Sequence, residues 1–123
     1  FVYTSLVSKE TLPLLTVQIN FEETLELLSN ATIYITIFDV TMADAPSKMI
    51  LQRVIRNIDY NSNLQFRIYG QIPNKKARYS VRVHVDVDGD GKVSTGDFIS
   101  MESYPILTYD YPNYVSVKVK LVK

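Results

Sequence analysis

The sequence predicts an all-β protein: one antiparallel β-sandwich domain over residues 1–123, with about 7–8 strands and a calcium loop at 86–97 between two of them. Three observations carry this. Apolar and polar residues alternate at a period of two along several segments. Polar turn residues interrupt the chain at short intervals. The one helix-like stretch, "EETLELL" at 22–28, has good helix formers but is too short for more than a turn or so.

Val2–Val7 opens the chain as a candidate strand. In "LTVQINF", Val17, Ile19 and Phe21 alternate with Thr16, Gln18 and Asn20, which suits one face in a core and the other in water. "ATIYITIFDV" is apolar on both faces, with Ile33, Ile35 and Ile37 opposed by Tyr34, Thr36 and Phe38, so a central strand covered on its second side is expected. "KMILQRVI" follows from Pro46 with weaker alternation. "LQFRIY" repeats the pattern with Leu64, Phe66 and Ile68. "YSVRVHVDV" sets Tyr79, Val81, Val83, Val85 and Val87 against Ser80, Arg82, His84 and Asp86. "ISMESYPILT" is a further candidate, and "YVSVKVKLV" closes the series with Val115, Val117, Val119 and Leu121 facing one way. No internal repeat, low-complexity run or linker divides the chain.

Composition removes several classes of function. Thirteen basic and thirteen acidic residues cancel, so no net field draws the chain to nucleic acid or an anionic membrane. No apolar run approaches the roughly 20 residues of a membrane-spanning helix, and no membrane insertion by this chain is expected. With no cysteine there is no disulfide, thiol nucleophile or thiolate metal site, and with one histidine there is no two-histidine metal site. His84 lies in no nucleophile motif and reads as a solvated strand residue, so the chain is not expected to be an enzyme.

The densest chemistry is "DVDGDGKVSTGDF", Asp86 to Phe98, with four aspartates and three of the chain's four glycines. A calcium loop of the familiar kind takes oxygens at positions 1, 3, 5, 7, 9 and 12 and a glycine at 6. Counted from Asp86, these are Asp86, Asp88, Asp90, the Lys92 carbonyl, Ser94 and Asp97, with Gly91 at the bend and Val93 as an inward apolar anchor. Dockerin modules resemble this stretch and also close with Asp. A plain Asp-Gly turn would explain the bend but not four carboxylates so close together, whose mutual repulsion calls for a cation. Ca2+ is therefore the expected cofactor, and a calcium-ordered module, extracellular or in the cell envelope with its signal peptide removed, is the function this loop leads one to expect.

Three stretches in order resemble a known family. "IFDVTMADAPSKMILQRVI", "RYSVRVHVDVDGDG" and "SYPILT" are similar to the signature of the small bacterial envelope lipoproteins of the YbaY/YscW-like family, over about Leu14 to Thr108. The resemblance implies an all-β, non-enzymatic domain. It also implies the role of the better-understood members: pilotins, lipid-anchored partners that help secretins reach and assemble in the outer membrane. This chain departs from the pattern in having no cysteine and a longer, more acidic loop where the family has a "DG" turn. A pilotin-like chaperone that captures an unidentified protein partner is thus the second expectation. Taken without the family, "DVTMADAPSK" is turn chemistry, with Asp44 accepting from nearby backbone and Pro46 forcing an extended exit.

"SYPILTYDYPNY" places Tyr104, Tyr109, Tyr111 and Tyr114 close in sequence, a candidate interaction surface for protein or, with calcium, for sugar. Packing of the rings around two prolines is the simpler use. "NKKARY" reads as a solvated basic loop, and "NAT" at Asn30–Thr32 matters only in a eukaryotic secretory route.

Overall fold

The alternation that marks the strands also decides which side of the sheet each residue faces. The computed structural model describes residues 13–22, 28–42, 44–59 and 64–123; Val2–Val7 and most of "EETLELL" lie outside them. Among the described residues there are eight strands and no helix: β1 Leu15–Phe21, β2 Ala31–Asp39, β3 Lys48–Ile58, β4 Leu64–Ile68, β5 Tyr79–Asp86, β6 Phe98–Ser100, β7 Pro105–Ile106 and β8 Tyr114–Leu121. "ISMESYPILT" thus supplies the two shortest strands.

All eight belong to one sheet, in the order β3-β2-β5-β6-β8-β1-β4, with β7 paired to β5 off this path. The all-β class is as expected, and the two facing layers are the halves of a single sheet curled into a nearly closed barrel. One pair departs from antiparallel pairing. β1 and β8 run parallel, with Val17 opposite Val115 and Ile19 opposite Val117. Alternation fixes which face a residue takes but not the direction of its neighbour, so this pair could not be read from the pattern.

The inward residues are those the alternation selects. Leu15, Val17 and Ile19 of β1, Ile33, Ile35 and Ile37 of β2, Val81, Val83 and Val85 of β5, and Val117 and Val119 of β8 are buried together. Phe98 meets Phe21 edge to face at 5.0 Å between centroids, closing the core between β6 and β1. The second face of β2 is covered by side chains of its own sheet. Tyr34 stacks on His84 at 5.4 Å, the Arg82 guanidinium lies 4.5 Å over Phe38, and Thr36 accepts from Gln52 Nε2 at 3.0 Å.

The strand directions gather the connections at two ends. One end carries the connection 87–97 of β5 to β6, together with the end of β1, the start of β2, the end of β3 and the start of β4. The other carries 40–47, 69–78 and 101–113. The two stretches richest in chemistry, the acidic loop and the tyrosine run, therefore sit at opposite ends of the barrel.

Candidate functional site

The acidic hairpin begins where β5 turns out of the sheet. Asp86 is the last residue of that strand and is wholly buried. Its carboxylate folds the loop back on itself, accepting from Gly89 N at 3.0 Å and from Gly91 N at 2.8 Å. Both glycines take left-handed φ, 74° and 76°, which non-glycine residues adopt only at a cost. Asp97, also buried, anchors the return. It accepts from Val87 N at 3.0 Å, from Ser94 N at 3.2 Å and from His84 Nε2 at 2.9 Å. Asp88 accepts from Ser94 Oγ at 3.1 Å, and Asp90 accepts from Lys92 N at 2.9 Å.

The chain thus brings Asp86, Asp88, Asp90 and Asp97 together, with one carboxylate oxygen of each within 4.8 Å of the others, and Ser94 joins them. Burial pushes the Asp86 carboxyl above its ordinary value, with Gly91 N–H opposing. Asp88 is held below its ordinary value, chiefly by its hydrogen bond with Asp86. As pH falls, Asp86 is therefore the member of this pair that takes up a proton first. Two details differ from the sequence reading. Val93 is 56% exposed and lies on the outer face beside Tyr34 and His84, not inward. His84 is no solvated strand residue: its ring is mostly buried between Tyr34 and Asp97. Sequence carried no signal for that pair, since the partner comes 13 residues later.

At the opposite end the tyrosines take separate tasks. Tyr104 is half-buried and its hydroxyl accepts from Lys118 N at 3.0 Å. Tyr109 donates to the Lys76 carbonyl, and Arg78 lies 4.4 Å over its ring. Tyr114 donates to Gln18 Oε1 at 2.8 Å, while Tyr111 is exposed beside Thr108 and Pro105. Between them the backbone makes a γ-turn, Thr108 N to Ile106 O at 2.9 Å, with Leu107 at φ 74°, a conformation that is rare and strained. Thr108 Oγ1 ties this turn to the Ala77 carbonyl at 2.7 Å.

"DVTMADAP" fills the same end. Asp39 accepts from Thr41 N at 2.9 Å and from Thr41 Oγ1 at 2.5 Å. Thr41 Oγ1 in turn accepts from Arg78 N at 2.9 Å, so the motif fastens the β2–β3 connection to the start of β5. Asp44 is exposed, and the turn is closed by Ala45 N to Met42 O at 3.4 Å.

Comparison with known proteins places this geometry. The sequence profile of the family described as "Type III secretion system lipoprotein chaperone (YscW)" matches residues 10–119. Among solved structures, "Structure of an alternative pilotin from the type II secretion system of Vibrio cholerae" superposes with a TM-score of 0.66 at 26% identity, covering 89% of this chain and 96% of that one. None of the curated proteins matches the chain. These matches overturn the calcium-ordered module as the protein's function: they run along the whole barrel and point to a chaperone. The physical counterpart is that the hairpin's carboxylates are engaged by donors of the hairpin and of β5 next to it.

Proposed function

We propose a pilotin-type role for this chain, which belongs to the YscW family of type III secretion system lipoprotein chaperones. It binds a protein partner in the cell envelope, a secretin, and accompanies it to its place of assembly. Chaperones of this family are not an enzyme class. The observation that supports the reading most is the joint one: a family match over residues 10–119 and a pilotin of the same fold aligned over 96% of its own length. The type of secretion system is left open by this pairing, because the family description names type III and the solved pilotin comes from a type II system.

In such a role binding falls to the outer faces of the barrel, its ends and its strand edges. The test is co-expression of the tagged chain with a secretin from the same genome. Retention of the secretin on the tagged chain, and loss of outer-membrane secretin multimers when the chain is omitted, are the expected results. A secretin that assembles equally well without it, and is never retained, overturns the reading.

For the hairpin we propose Ca2+ as a local ligand of Asp86, Asp88, Asp90, Ser94 and Asp97, with no part in defining the protein's role. The support is the convergence of the four carboxylates.

A further inference from the structure

β3 and β4 follow one another in the chain, run antiparallel in the barrel and are joined by residues 59–63, yet they end the sheet order instead of pairing. A hairpin here would close the barrel. Across the seam the backbones are bridged by a side chain: Arg53 Nη2 donates to the Tyr69 carbonyl at 2.6 Å, and Arg53 Nη1 to its neighbour Gln52 O at 3.1 Å. Arg53 stands opposite Ile35 in the register, a position on the inward face. Where paired strands lie about 4.8 Å apart, a gap that an arginine side chain must cross is wider than one strand spacing.

The two faces of the seam differ in chemistry. On the inner side Leu51, Ile55 and Phe66 are only partly buried, although the residues paired with them, Ile37, Ile33 and Val17, are 1%, 0% and 0% exposed. These three side chains pack against the core and keep part of their surface open along this line, with Leu51 also lying against Gly70 across the seam. On the outer side Arg56 and Arg67 are exposed. Together with Lys48 and Arg53 they make four cations on two strands that carry no carboxylate, in a chain whose charges cancel as a whole.

We propose that the seam between β3 and β4 takes up an extended segment of alternating apolar and acidic residues, which pairs with the edge of β3 that no described strand pairs and closes the barrel. Its apolar residues cover Leu51, Ile55 and Phe66, and its carboxylates meet Arg56 and Arg67. The alternation is required because successive residues of a strand point to opposite faces, and edge pairing supplies affinity while the side chains supply selection. This rests on the chaperone reading in taking the seam as the place where the partner's segment docks.

The probe is an acetylated, amidated octapeptide of alternating valine and glutamate, followed by amide chemical shifts and hydrogen exchange on the whole chain. Shifts and slowed exchange confined to 48–58 and 64–68 are expected, with roughly tenfold weaker binding of the valine–lysine counterpart. A charge-reversed R56E/R67E variant, altered only at exposed positions, reverses that preference. Absence of any response at β3 and β4 means that the arginines merely guard an open edge and overturns the proposal, as does full protection of those amides before peptide is added. Secretin capture separates the two readings. If the chain retains the secretin equally with and without R56E/R67E, the seam is not the docking place and the chaperone role stands. If the peptide binds the seam but no secretin is retained, the seam stands and the chaperone role falls.

Discussion

Asp39 shows how one residue of a family-like motif acts through simple chemistry. Its carboxylate is held below the ordinary value by the Thr41 hydroxyl first, then by the Thr41 amide, with Lys48 also favouring the charged form. A carboxylate whose value is depressed on folding contributes stability above its unfolded value, and that contribution disappears as pH falls through the folded one. Carbon-detected titration is therefore expected to find Asp39 below the usual aspartate range. Thr41→Val should move it back up and weaken acid resistance of the 40–47 connection; an unchanged Asp39 midpoint in that variant would refute the assignment. The sequence led one to expect the turn acceptor at Asp44, and the structure gives that part to Asp39, two residues before Thr41. The buried His84–Asp97 pair was not legible in the sequence, because only the pairing of β5 with β6, His84 opposite Ile99, brings it about.

At the scale of elements, the hairpin from Asp86 to Asp97 was legible in the sequence. Its oxygens are fixed by spacing within one loop, and the four aspartates chosen from that spacing do converge. What spacing could not reveal is that the backbone amides of Gly89, Gly91 and Ser94 already serve as donors to Asp86 and Asp97. Calcium must then compete with these bonds and, as pH falls, with protonation of Asp86, whose carboxyl burial holds above its ordinary value, which puts the expected affinity at the weak end of such loops, about 10⁻⁴–10⁻³ M. Calorimetric titration of chelator-treated protein is expected to give heat in that range. The heat should vanish in an Asp88→Ala/Asp90→Ala variant and shrink as the solution is acidified. Wild-type protein that gives no heat at several times that concentration would remove calcium from the hairpin. The seam lay beyond reach of the sequence, because "KMILQRVI" and "LQFRIY" read as ordinary strands and nothing local says that they fail to pair.

For the whole molecule, strand order decides which parts the fold can lose. β8 is the joint of the barrel: it lies between β6 and β1, holding Phe98 opposite Leu121 and Val17 opposite Val115. Without it the sheet falls into β3-β2-β5-β6 and a separate β1–β4 pair, and the apolar faces of both are exposed to water. The hairpin tip is different, since β5 and β6 pair beneath it through His84–Ile99 and Val85–Phe98, and Val122 N bonds Asp97 O at 2.8 Å. Removing residues 114–123 should therefore abolish the cooperative thermal transition altogether. Replacing residues 88–95 by Gly-Ser-Gly should retain it, provided that Asp86→Asn is made as well, because Asp86 would otherwise stay buried without the Gly89 and Gly91 donors. The expected fall in Tm for the trimmed chain is no more than about 5–10 °C, corresponding to roughly one to two kcal/mol in a domain of this size. Scanning calorimetry of the two variants decides the matter. A trimmed chain with no transition would make the hairpin part of the fold, and a cooperative transition without β8 would show that the barrel has a different joint.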